Sequence, residues 1–90
     1  MLAIVQTSSF KKDFKKIKKQ KKILELMKEL LLKLASADVL ESKYKDHLLS
    51  GNYKNKRECH IKPDWLLIYE VNNDELVLYR TGSHSELFKK

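Results

Sequence analysis

A single cysteine, Cys59, stands in this chain of 90 residues, so no disulfide can form within it and no cysteine-based zinc framework is available. Proline occurs once, at Pro63, and glycine only at Gly51 and Gly82, so sharp backbone breaks are few and each marks a definite corner. Long apolar runs are also missing. The leucine-rich stretch from Ile23 to Leu34 is interrupted by Glu25, Lys28, Glu29 and Lys33, which excludes a membrane span, and the Leu2 to Val5 run is too short for a signal-peptide core. These absences point to a soluble protein, expected in the cytoplasm. Arginine is scarce as well: of the 19 basic residues only Arg57 and Arg80 are arginines, so a bidentate phosphate clamp has just two candidate positions.

What is present is a compact balance of 42% hydrophobic and 34% charged residues, which fits a single globular domain over residues 1–90 and not a disordered tail. The net charge is +7, and it is unevenly placed: Lys11 to Lys22 holds eight lysines against one acid, Asp13. Such a rod can attract RNA or an acidic protein, or can simply be a solvated helix face.

Hydrophobic periodicity orders the elements. Leu2 to Gln6 reads as a short strand, followed by an N-cap in Thr7-Ser8-Ser9 with Asp13 expected in the first helical turn. Phe10, Phe14 and Ile17 make one helical stripe; Ile23, Met27, Leu30, Leu31 and Leu34 make a second, broader one. The change of stripe direction predicts a two-helix hairpin broken within Lys18 to Lys22. After a polar connection from Ser36 to Lys45, Arg57 to Lys62 alternates, with Arg57, Cys59 and Ile61 on one face and Glu58, His60 and Lys62 on the other. Trp65 to Val71 is almost continuously apolar, as a central strand buried on both sides must be; Asn72-Asn73-Asp74 turns the chain into a third strand from Glu75 to Arg80. The expected fold is therefore α+β, with an N-terminal strand, a helical hairpin packed on one face of an antiparallel sheet of about four strands, and a short C-terminal helical turn.

The segments Tyr44-Lys45-Asp46-His47, Arg57-Glu58-Cys59-His60, Pro63-Asp64-Trp65-Leu66-Leu67-Ile68-Tyr69 and Arg80-Thr81-Gly82-Ser83-His84-Ser85-Glu86-Leu87-Phe88 follow one another in an order that resembles the YafQ branch of the RelE/ParE toxin superfamily. The resemblance implies a RelE/ParE-like fold and a bacterial type II toxin. It would be an endoribonuclease that cleaves mRNA, commonly on the translating ribosome, held inactive by a cognate antitoxin. It further implies acid–base roles for His47, His60, Asp64 and His84, and substrate-contacting or site-shaping roles for Trp65, Arg80 and Phe88. Where relatives often carry proline after the first of these histidines, this chain has Leu48.

The residue types suit that chemistry. Cleavage by attack of a ribose 2′-OH on phosphorus needs a base for the hydroxyl proton, an acid for the leaving 5′-oxygen, and positive charge beside the phosphate. His84 is the expected acid and Asp64 or His47 the expected base, with His60 orienting beside them; Arg80, and Arg57 as the second candidate, would hold the phosphate. Each residue alone also has a plainer reading: His60 paired with Glu58 on a surface strand, Trp65 and Phe88 packed in the core or at its rim, Arg80 bridged to Glu70 or Glu75. No metal or other cofactor is expected, because Cys59 and His60 point to opposite faces of a strand and no His-x-x-x-His spacing occurs. Expected partners are mRNA and an acidic antitoxin segment. The competing reading is a non-catalytic relative, either a ParE-like DNA gyrase inhibitor or a basic RNA-binding module, neither of which needs its histidines gathered around Arg80.

Overall fold

In the computed structural model of the protein the described residues are 1–20 and 23–88. Strand β1 (Ala3–Gln6) leads into helices α1 (Ser8–Lys19) and α2 (Leu24–Ala35), and β2 (His47–Leu48) follows a single 3-10 turn at Ser42–Tyr44. A second such turn at Gly51–Tyr53 precedes the meander β3 (Arg57–Lys62), β4 (Trp65–Asn72) and β5 (Glu75–Gly82), and the four-residue helix α3 (His84–Leu87) ends the fold. Two separate helices agree with the expected break between the stripes, although Lys21 and Lys22 of that join lie outside the described residues. Thr7 caps α1, its hydroxyl accepting from the Phe10 N–H at 3.1 Å. Asp13 does not serve the first turn, where its spacing from the cap had suggested it. With α1 starting at Ser8 it sits in the second turn, free to reach another element.

The sheet has five strands in the order β1-β5-β4-β3-β2 and is mixed, where about four antiparallel strands were expected. The chain returns through α1, α2 and the meander before β5 lies down beside β1, so the two run parallel, Ala3 opposite Glu75 and Gln6 opposite Leu78. The extra strand is β2, two residues long and paired to β3 through His47 with Glu58 and Leu48 with Arg57.

The central strand β4 is buried on both faces, as its apolar run requires. Trp65, Leu67 and Tyr69 join Phe10, Ile17, Met27, Leu30 and Leu34 in the main core beneath the helices. Leu66 and Ile68 face the other way, under Leu87 of α3 and the rings of Tyr53, Tyr79 and Phe88. Burying a side chain of this size contributes about 1.5–3 kcal/mol, so this second, smaller core is enough to seat α3 on the sheet face away from the helices.

Two departures from strand regularity position the functional face. Between Ile68 and Tyr69 the β4–β5 register slips: Tyr69 pairs with Leu78 but Ile68 with Arg80, leaving Tyr79 as an extra residue. Strict alternation from Leu76 and Leu78 would have driven Arg80 into the helix layer; the bulge sets it opposite Ile68 instead. The Thr7 hydroxyl lies 2.9 Å from the Leu78 carbonyl oxygen and 3.1 Å from that of Tyr79, so it can bind the bulge. At the end of β5, Gly82 has φ +155°, and a Cβ there would stand 3.0 Å from Glu86 Oε1. Glycine thus permits the close approach that turns the chain into α3.

Candidate active site

The strand register lays one row of residues across the sheet. His47 is opposite Glu58, Glu58 opposite Ile68, and Ile68 opposite Arg80. The adjacent row carries His60, Leu66 and Gly82, from which the chain turns into His84. Neighbouring strands lie about 4.8 Å apart, so four strands bring residues from 47 to 84 onto one patch. The ring centroids of His47 and His60 are 6.4 Å apart, and those of His60 and His84 5.7 Å.

Carboxylates hold these imidazoles. Asp64, in the turn between β3 and β4, accepts from the His84 backbone N–H at 2.9 Å and from His84 Nδ1 at 2.7 Å through the same Oδ1. A carboxylate only accepts, so Nδ1 carries the proton, and His84 Nε2 meets no hydrogen-bond partner among the described residues. His84 is the first residue of α3, whose Ser83 N-cap and Glu86 form a reciprocal capping box. Glu58 has a side chain only 6% exposed, and its Oε1 lies 3.4 Å from His47 Nε2 and 3.5 Å from His60 Nε2. The other nitrogen of His47 donates to the Lys45 carbonyl at 2.7 Å, so both of its ring nitrogens are committed, while His60 Nδ1 meets no hydrogen-bond partner among the described residues.

Arg80 is tied neither to Glu70 nor to Glu75. Its Nε and Nη2 donate to the two oxygens of Asp13 at 2.6 and 3.1 Å, and Nη1 donates to the Tyr53 hydroxyl at 3.5 Å. Asp13 Oδ2 also accepts the Thr81 N–H at 3.1 Å. The bond to Asp13 is the main cause that raises the Arg80 pKa. A guanidinium has five N–H groups, so one on Nη1 and one on Nη2 remain for a substrate oxygen. Lys16 of α1 reaches Glu86 at 2.7 Å, so α1 is bolted to the strand and the helix that carry Arg80 and His84. That bond and the Ser83 N–H hold the Glu86 carboxyl down to about 2.

Two expected contacts with substrate are corrected. Trp65 is 2% exposed and packs in the helix-side core, its indole N–H donating to the Thr81 hydroxyl at 3.1 Å, so it shapes the base of the site and cannot touch a ligand. Arg57 faces the helix side, where alternation had placed it: its Nε donates to Asp46 at 3.2 Å, and the Tyr69 hydroxyl donates to the same oxygen at 2.6 Å. That bond to Asp46 raises the Arg57 pKa. The trio anchors the loop behind His47 and adds nothing to the histidine patch. Phe88 remains at the rim, edge-on to Tyr53 with centroids 5.8 Å apart.

Sequence reasoning makes Glu58 a surface partner of His60; the signal it held was its place in the same alternating face, between His47 and His60. Glu58, His60 and His84 also offer three ligand atoms within 4.8 Å of one another, a set that could hold a metal ion and that the spacing argument did not find. Cys59 is fully buried in the helix-side core and its thiol pKa is pushed up by burial, which suits packing and not nucleophilic attack. No helix among the described residues is long and apolar enough to cross a membrane.

Comparison with known proteins gives a consistent result. Residues 2–89 match a family described as bacterial toxin of type II toxin-antitoxin system, YafQ. The mRNA interferase toxin YafQ of Escherichia coli (strain K12) is 37% identical over 86 residues, 94% of each chain. Among solved structures, a copper-bound mutant toxin from Helicobacter pylori is 45% identical and superposes with a TM-score of 0.93, covering 98% of this chain and all (100%) of that one. YafQ in the E. coli DinJ-YafQ complex is 36% identical with a TM-score of 0.88, over 98% of this chain and 99% of its own.

Proposed function

The chain belongs to the YafQ family of bacterial type II toxins, and from that premise we propose that it is an mRNA interferase, an endoribonuclease that cleaves mRNA in the cytoplasm and is neutralised by a cognate antitoxin. The observation that carries the enzymatic reading is the pair of imidazoles His60 and His84, 5.7 Å apart, each backed by a carboxylate at one nitrogen and, among the described residues, without a hydrogen-bond partner at the other.

Two nitrogens that each approach within about 3 Å of oxygens on opposite sides of one phosphorus must stand several ångströms apart, and rings with centroids 5.7 Å apart can present them so. His60, with Glu58 behind it, takes the proton of the ribose 2′-OH. The 2′-oxygen attacks phosphorus, the bond to the 5′-oxygen breaks, and His84, entering the step as an imidazolium whose Nδ1–H is held by Asp64, delivers its Nε2 proton to that oxygen and is left neutral. The products are a 2′,3′-cyclic phosphate and a free 5′-hydroxyl. Asp64 orients His84 and is thereby a poorer candidate for the base; His47 is engaged at both nitrogens, by the Lys45 carbonyl and by Glu58. Arg80 offers its two remaining N–H groups to the phosphate, and Phe88 a ring to a neighbouring base. Two proton transfers, each typically about 10²- to 10⁴-fold, together with phosphate stabilisation, need no metal. A metal bound by Glu58, His60 and His84 would occupy these same groups, and the copper-bound relative makes that reading worth separating.

The test is incubation of the antitoxin-free protein with RNA and with translating ribosomes in EDTA, comparing wild type with His84→Ala. Cleavage by the wild type alone, leaving 2′,3′-cyclic phosphate or 3′-phosphate ends, is expected. Cleavage that appears only when a divalent metal is restored would refute the acid–base mechanism, and a folded wild type that stops growth yet cuts neither substrate would refute the endoribonuclease reading.

A further inference from the structure

On the β3 side of the histidine patch, between α2 and the sheet, lies a cleft of about 570 Å³ that opens onto His60 and His84. Its apolar lining is Leu26, Tyr44 and Ile61, with the exposed Pro63 at its edge, and the exposed lysines Lys43, Lys45 and Lys62 line it as well. Lys33 also lines it but is committed to Glu41 at 2.9 Å, and Glu29 is the acid in the lining. The Lys43 ammonium sits 5.2 Å from the Tyr44 ring centroid, so the aromatic surface helps to fix that charge at the mouth.

We propose that this cleft is a subsite for single-stranded RNA, holding the nucleotides on one side of the scissile phosphate; the inference rests on the endoribonuclease reading. A polymeric substrate must leave the catalytic pair in both directions. On one side it meets Arg80, Tyr53 and Phe88; on the other, the space adjoining His60 and His84 is this cleft. Its make-up fits a nucleotide strand, since exposed lysines along a cleft track phosphates and an apolar lining accepts the faces of bases without reading their edges. The volume is sufficient for a bound nucleotide.

The experiment measures binding and cleavage separately. In a His84→Ala background, which keeps the RNA intact, a fluorescent single-stranded oligoribonucleotide is titrated against the parent, Lys43→Ala/Lys62→Ala, and a control, Lys11→Ala/Lys12→Ala, that removes equal charge from exposed positions of α1. Removal of the two cleft lysines is expected to weaken binding by about tenfold or more and to flatten the slope of log affinity against log salt by roughly 1.4, near 0.7 for each phosphate left without its lysine. The control should change both much less. Unchanged affinity in the cleft variant, or an equal loss in the control, overturns the proposal. So does retained RNA affinity with lost binding of a poly-glutamate peptide, which would give the cleft to an acidic protein segment. Cleavage by the parent sequence with His84 restored is assayed in parallel: RNA that binds through the cleft but is never cut would refute the endoribonuclease reading while leaving the subsite in place.

Discussion

Glu58→Gln isolates the contribution of one buried charge to catalysis. The carboxylate lies 3.5 Å from His60 Nε2 and is almost wholly screened from water, whereas glutamine keeps its shape and removes its charge. When His60 accepts the 2′-OH proton it becomes an imidazolium facing Glu58. At that distance the attraction between two unit charges is about 5 kcal/mol for an effective dielectric near 20. The glutamine carbonyl dipole and relaxation of the site recover about half, so the transition state loses about 2–3 kcal/mol, or roughly 30- to 150-fold in kcat. Glu58 touches no substrate in this reading, and deleting a negative charge beside the phosphate should leave RNA affinity unchanged or slightly stronger. Single-turnover cleavage at saturating enzyme gives the chemical rate, and titration of the His84→Ala/Glu58→Gln protein gives affinity. A chemical rate within about threefold of wild type, a change worth less than 1 kcal/mol, would refute the assignment of Glu58 as the charge behind the base. A loss confined to affinity would refute it equally.

Asp64→Asn should lower kcat by about tenfold or more, as expected for losing a charge-assisted hydrogen bond of about 1.5–3 kcal/mol to the acid, with no fall in Tm, because both side chains are more than half exposed; steady-state kinetics beside a melting curve checks both. Glu86 gives a pH signature. Its carboxyl is held at about 2, below its ordinary 4.5, by Lys16 first and then by the Ser83 N–H, so its stabilisation is complete above pH 4.5 and is lost as pH falls toward 2. The Tm gap between wild type and Glu86→Gln should therefore be constant near neutrality and close on acidification through that window. A gap that widens in acid would contradict the sign.

Much of the fold was legible because its elements carry clean local signals. The continuous apolar run of β4 could only be a strand covered twice. The alternation of Arg57 to Lys62 put Cys59 beneath the helices and His60 on the other face. Partners were harder. Nothing local links Asp13 to Arg80, 67 residues apart, and the bulge at Tyr79 hides the face of Arg80, since alternation counts residues and a bulge breaks the count. Glu58 reads as a surface residue because a carboxylate at an alternating position usually is one; its burial depends on β2, a strand too short to be foreseen and existing only through its pairing with β3. Trp65 could contact a substrate or fill the core on sequence grounds, and its neighbour in the next strand, Thr81, decides for the core.

The parallel pairing of β1 with β5 also sets an order of assembly. Ala3 and Glu75 are 72 positions apart (75 − 3), whereas β3, β4 and β5 are joined by two tight turns, at Pro63-Asp64 and Asn73-Asp74. Loop-closure entropy makes the near pairings fast and the distant one slow. The meander that carries Glu58, His60, Asp64 and Arg80 is thus the kinetically early half of the protein, and β1 closes the sheet after it. Substitutions in β1 then act mainly on the rate of unfolding, visible in the unfolding arm of a denaturant chevron, while the half that bears the chemistry governs how fast the toxin first becomes a folded molecule.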